Sequence, residues 1–234
     1  GGAAGLRAAE SVVLDFEGVI CDTFSEVSRA AYRAALAKWP DTMGKATDVT
    51  PREAGVRSSW VGGKWSTYEE DTGDDIPRWL EEKLRQVRPV IQGNAEVVLA
   101  SRLCVSEALA ARRSDRGRRP LTAGEIISNW DEMKDILYLK CGAEEGELAG
   151  MFEEERTAWR SADEAGWMSA VQIYPDVARA LRRSAGKFTV LSTELDAPTA
   201  RAVLAEKGVE VDEKRIVDCR AGVGVSKADA LVEL

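Results

Sequence analysis

The sequence predicts an α/β fold: a parallel-sheet core that carries a large α-helical insert. Three observations predict it. Ser11 to Phe16 is a short apolar strand that reaches Asp15 and turns at Gly18. From Tyr174 onward strands and helices alternate at the spacing of a parallel sheet. Between these two stretches, residues 76–172 carry helical periodicity throughout.

The elements follow in order. A helix from about Ser25 to Trp39 is rich in alanine and is expected to stop at Pro40. Residues 41–75 are polar and broken by glycine and proline, which predicts loops and one short helix. Ile76 to Val90 places Trp79, Leu80, Leu84 and Val87 on one face. Asn94 is expected to cap a helix running from Glu96 to Arg113. Thr122 and Glu125 form a capping box ahead of Ile126, Trp130 and Leu137, and Leu148, Phe152 and Trp159 mark a further helix. The pattern then changes: a helix from Tyr174-Pro175-Asp176 to about Ser184, a strand from Lys187 to Ser192, a helix from Thr199 to Lys207, and a strand from Arg215 to Asp218. A last helix is capped by Ser226 and Asp229. The expected division is a discontinuous core, 11–23 with 173–234, a helical insert, 24–172, and a flexible N-terminus, 1–10.

Composition narrows the function classes. A net charge of −8 and a pI near 4.9 argue against a nucleic-acid binder, which needs a dominant basic face. The chain contains no histidine, and Cys21, Cys104, Cys141 and Cys219 form no C-x-x-C pair, so a zinc site is not expected. The cysteines read as reduced and packed, as in a reducing compartment such as the cytoplasm. No apolar run reaches the roughly 20 residues of a membrane span. Tryptophans 60, 65, 79, 130, 159 and 167 read as core residues, with interface anchoring as the alternative. The arginine-rich stretch 112–119 reads as a solvated inter-helix loop, with a grip on an acidic partner or a phosphate as the alternative.

Asp15 carries the most specific chemistry. A carboxylate at the C-terminal end of a strand in an open α/β sheet lies where ligands bind. It suits a nucleophile, a metal ligand, or both. Glu17, two residues on, faces the same side if the chain stays extended and fits a general acid and base.

Leu14-Asp15-Phe16-Glu17-Gly18-Val19-Ile20 resembles the first motif of the haloacid-dehalogenase (HAD) superfamily, in which hydrophobic residues precede D-x-D-G-(T/V)-(L/I). Phe188-Thr189-Val190-Leu191-Ser192-Thr193 is similar to the second motif, whose terminal hydroxyl bonds the phosphoryl group. Lys227 is similar to the third-motif lysine, and Tyr174-Pro175-Asp176 resembles the segment that returns the chain from an inserted cap. The resemblance implies a Rossmannoid HAD-like core with a helical cap. It further implies Asp15, Glu17, Ser192 and Lys227 as catalytic residues, and Mg²⁺ held by Asp15 and the Glu17 carbonyl if the protein is active. Lys38-Trp39-Pro40 and Arg88-Pro89-Val90-Ile91-Gln92-Gly93-Asn94-Ala95-Glu96 resemble a group of plant and algal HAD-like proteins, many directed to the chloroplast. The opening Gly1-Gly2-Ala3-Ala4-Gly5 is compatible with a removed targeting peptide.

Two departures bear on activity. Glu17 stands where the family's phosphatases place Asp, which moves the carboxyl group by one C–C bond, about 1.5 Å. A 1 Å misplacement can cost on the order of 100-fold in rate. The family's fourth motif, an acidic pair after another strand, has no counterpart after Lys227 in the sequence given, so the core reads as C-terminally incomplete and the Val12–Phe16 strand as an edge. Two functions are therefore expected in competition. One is a HAD-fold subunit with impaired or lost catalysis in a larger assembly, a membrane complex among the options, with a protein partner covering that edge. The other is a Mg²⁺-dependent phosphohydrolase that acts on a small phosphorylated metabolite.

Overall fold

A computed structural model describes residues 12–56, 60–61, 64–65, 76–114, 117–184, 187–220 and 224–233. In chain order the elements begin with β1 (Val12–Asp15), β2 (Cys21–Asp22), α1 (Phe24–Lys38) and α2 (Pro40–Met43). A short antiparallel pair follows, β3 (Trp60–Val61) with β4 (Lys64–Trp65). The helices α3 (Arg78–Val87), α4 (Asn94–Arg112), α5 (Ala123–Cys141), α6 (Glu145–Ala162) and α7 (Glu164–Ala170) come next. The chain ends with β5 (Gln172–Ile173), α8 (Pro175–Arg183), β6 (Phe188–Ser192), α9 (Ala197–Glu206), β7 (Ile216–Asp218) and α10 (Lys227–Glu233). The protein is an α/β chain, mostly helical, with a small parallel sheet.

Contacts divide it into two compact units: Gly1–Thr23 with Met168–Leu234, and Phe24–Trp167. In the first, three strands lie in the order β1-β6-β7, all parallel. The register pairs Leu14 with Val190 and Asp15 with Leu191, then Ser192 with Asp218. Every residue of β6 is buried, as the central strand of a parallel sheet requires. Among the described residues β1 is an edge strand, and Val12 is 51% exposed. Cys21–Asp22 pairs antiparallel with Gln172–Ile173, a ladder too short to show in the sequence pattern.

The second unit is helical. The alanines of α1 (Ala30, Ala31, Ala34, Ala35) are fully buried, and their small size lets α1 pack closely against α4 and α6. Trp79, Trp130, Trp159 and Trp167 are all buried, as expected of core residues. The side chains of Trp60 and Trp65 lie outside the described residues, as do the N-terminus 1–10 and Asp115-Arg116 of the arginine-rich loop. Pro40 ends α1 as expected, and it also opens α2 from the first helical turn, where its missing N–H costs nothing. Asn94 does not cap α4. Gly93 takes the cap position with extended backbone, and the Asn94 amide donates to Glu153 at 3.1 Å. The Thr122–Glu125 capping box forms in full, closed by a left-handed Gly142 at the other end of α5.

One buried carboxylate organises this unit. Glu26 is fully buried, and Arg156 donates to both its oxygens, from Nε at 2.8 Å and from a terminal nitrogen at 2.9 Å. The Trp167 indole donates to it at 3.1 Å. A buried charge survives only with such partners.

Candidate functional site

The site in the sheet unit is built at the C-terminal ends of β1, β6 and β7. Asp15 ends β1. Its Oδ2 accepts from Lys227 Nζ at 2.6 Å, while its buried Oδ1 has no partner among the described residues. Lys227 opens α10, where the helix dipole disfavours a cation. It is brought there by the turn after β7, in which the Val225 N–H bonds the Asp218 carbonyl at 3.1 Å. That turn is tight at Gly224, since an added Cβ would lie 2.0 Å from the Asp218 carbonyl oxygen. Ser226 and Asp229 then cap the helix as expected: the Ser226 hydroxyl donates to the Asp229 carboxylate and accepts the Asp229 N–H.

Glu17 does not stand free beside Asp15. The chain leaves β1 through a turn at Gly18, whose φ of +80° lies in the region that glycine tolerates. That turn directs the Glu17 side chain into the bend that follows β6. There its Oε1 accepts from the Ser192 hydroxyl at 2.8 Å, the Glu194 N–H at 3.0 Å and the Leu195 N–H at 3.3 Å. Its Oε2 accepts from the Thr193 N–H at 2.9 Å and the Thr193 hydroxyl at 3.0 Å. Three successive backbone N–H groups around one anion form the concave nest that binds phosphates elsewhere. The Ser192 hydroxyl also stands 2.8 Å from the Leu195 carbonyl, so its single proton serves one acceptor at a time.

Of the four residues singled out from the sequence, the structure therefore joins Asp15 to Lys227 and Glu17 to Ser192. Sequence reading missed the Thr193 hydroxyl and the amides of Thr193, Glu194 and Leu195. Their only signal is the break between β6 and the Asp196 cap of α9, which accepts from Thr199 N–H at 2.7 Å. The nest is a property of backbone geometry, which side-chain identity does not encode.

Nearby groups are held in fixed charge states. Burial, reinforced by the negative charges of Glu17, Glu194, Asp22 and Asp15, pushes the Cys21 thiol far up, so it is no nucleophile. Burial also raises the Cys219 thiol, against the pull of Lys227. At the end of β7, the Arg220 guanidinium on Asp218 holds that carboxyl below its usual range, with the closest contact at 2.7 Å.

Of the two expected magnesium donors, Asp15 offers Oδ1 while Lys227 holds its other oxygen; the Glu17 side chain, bound in the nest, adds no ligand to its backbone carbonyl. Among the described residues no group of three or more His, Cys, Asp or Glu is placed to hold a metal ion, whereas Mg²⁺ demands near-octahedral oxygen ligation. No helix among the described residues is long and apolar enough to cross a membrane. No protein family, no curated protein and no solved structure matches the chain.

Proposed function

We propose that this chain is a HAD-like protein that has given up phosphoryl transfer and works as a binding subunit of a larger assembly. The observation that carries this reading is the Glu17 carboxylate in the nest at Ser192–Leu195. In the resemblance, the hydroxyl at Ser192 serves the phosphoryl group of a substrate. Here it serves a carboxylate of the chain itself, and the extra methylene of Glu over Asp supplies the reach. A bound general acid cannot protonate a leaving group, and an occupied nest cannot take a substrate phosphoryl.

The parallel pairing of β1 with β6, and Lys227 beside Asp15, support the HAD-like ancestry. Phe24–Trp167 then corresponds to the inserted cap. The role that remains is protein binding, with a partner along the exposed edge of β1, in a chloroplast assembly if the plant and algal resemblance holds. The test is hydrolysis of an aryl phosphate with Mg²⁺ by the full chain. Wild-type protein is expected at the background rate, indistinguishable from Asp15→Asn. Turnover by wild type that Asp15→Asn abolishes would overturn the reading and restore the phosphohydrolase.

A further inference from the structure

A second site lies wholly within the helical unit, independent of Glu17. Between α2 and α4 a half-open cavity of about 380 Å³ is lined by Lys45, Arg102, Arg112 and Arg113, by the carboxylates Asp41 and Asp48, and by Ser106. The lining is two charges positive in a chain whose net charge is −8.

The cations differ in how they are held. Arg112 is positioned by the chain: it donates to the Asp48 carbonyl at 2.8 Å and stands 3.5 Å from the Glu53 carboxylate. Arg102 lies 5.8 Å over the Trp39 ring, and its buried Nε has no hydrogen-bond partner among the described residues. An aromatic face steadies a guanidinium without neutralising it. Lys45 and Arg113 are exposed, and neither pairs with an acid among the described residues. Lys45, Arg102 and Arg113, none paired with an acid among the described residues, form with the pre-positioned Arg112 a receptor for a compact dianion. Asp41 and Asp48 add acceptors that match hydroxyl groups and repel more extended polyanions.

We infer that this cavity binds a small hydroxylated phosphate monoester. The ester's charge of about −1.5 to −2 at neutral pH suits the unpaired Lys45, Arg102 and Arg113, and arginine is the side chain best shaped to grip its oxygens.

The test is calorimetric titration of the full chain at low ionic strength with inorganic phosphate and with glycerol 3-phosphate. Wild type is expected to bind one equivalent of each, glycerol 3-phosphate more tightly. Lys45→Ala and Arg113→Ala are exposed changes that leave the melting curve in place. Each is expected to weaken both ligands by about tenfold, the loss of one charge-assisted contact. Asp41→Asn with Asp48→Asn is expected to erase the preference for the hydroxylated ligand. No saturable binding by wild type, or binding that survives Lys45→Ala combined with Arg113→Ala, would overturn the inference. A phosphate site opened by removing Glu17 would persist in that double variant, so the two readings fail separately.

Discussion

Glu26, fully buried in the helical unit, and Glu17, partly buried in the sheet unit, each sit in a set of donors, and the two sets differ in kind. Glu26 is held by a cation, the Arg156 guanidinium, with the Trp167 indole beside it. Glu17 is held by neutral dipoles, three backbone amides and two hydroxyls. The first arrangement is an ion pair: take away one charge and the other is stranded. The second is a receptor: take away the carboxylate and what remains is a concave set of N–H groups that suits any small oxyanion. A structural lock and a filled binding site both hold a carboxylate on several donors, and the charge of those donors separates them.

Breaking the lock has the largest expected effect. Arg156→Met leaves the Glu26 charge buried without its partner, and should cost about 3–5 kcal/mol in urea unfolding. Adding Glu26→Gln to that variant should restore much of the loss. Emptying the receptor is expected to cost less. Glu17→Ala should lower stability by about 2 kcal/mol, because its donors lose a charged acceptor. Inorganic phosphate at about 100 times its Kd should then return about 2.7 kcal/mol over its effect on wild type. Phosphate should not rescue Glu26→Ala, because the Arg156 side chain that would receive it is buried. If phosphate fails to rescue Glu17→Ala, the contrast between lock and receptor falls.

The capping box of α5 mixes the two kinds of donor: Glu125 accepts the Arg119 guanidinium at 2.6 and 2.7 Å and the Thr122 N–H at 2.8 Å. Thr122→Ala should cost about 1 kcal/mol, read from the thermal midpoint. The smallest effect belongs to the half-buried charge pair Asp218–Arg220. The folded-state pKa of Asp218 is lowered. Its contribution is therefore present above the ordinary Asp value near 3.9 and is lost as pH falls through the lowered folded value. Asp218→Asn should be less stable than wild type by a few tenths of a kcal/mol at pH 7. The two urea midpoints should converge on acidification.

What the sequence made legible follows from period and position. The strand Val12–Asp15, the buried run Phe188–Ser192 and the helices from Arg78 to Ala162 are long or strongly patterned, and their side chains betray them. The α8, α9 and α10 boundaries came within about two residues; Pro175 and Ser226 mark two of the starts, while the Asp196 cap of α9 went unread. The pairs β2–β5 and β3–β4 escaped, since strands of two residues have no period to read. At the site, Asp15 and Lys227 were legible as isolated chemistry. The fate of Glu17 was not, because it depends on the turn at Gly18 and on backbone amides in a bend 175 residues away along the chain. The basic cavity was half legible: Arg112 and Arg113 belong to the arginine-rich stretch, while Lys45 and Arg102 join it only through the packing of α4 beside α2.

The carboxylate in the nest also sets a threshold for anything that would replace it. A ligand tethered by its own side chain competes at an effective concentration far above that of a free metabolite. Millimolar phosphate therefore competes with Glu17 at a disadvantage set by that effective concentration. Access to that seat is set by residue 17, not by substrate supply.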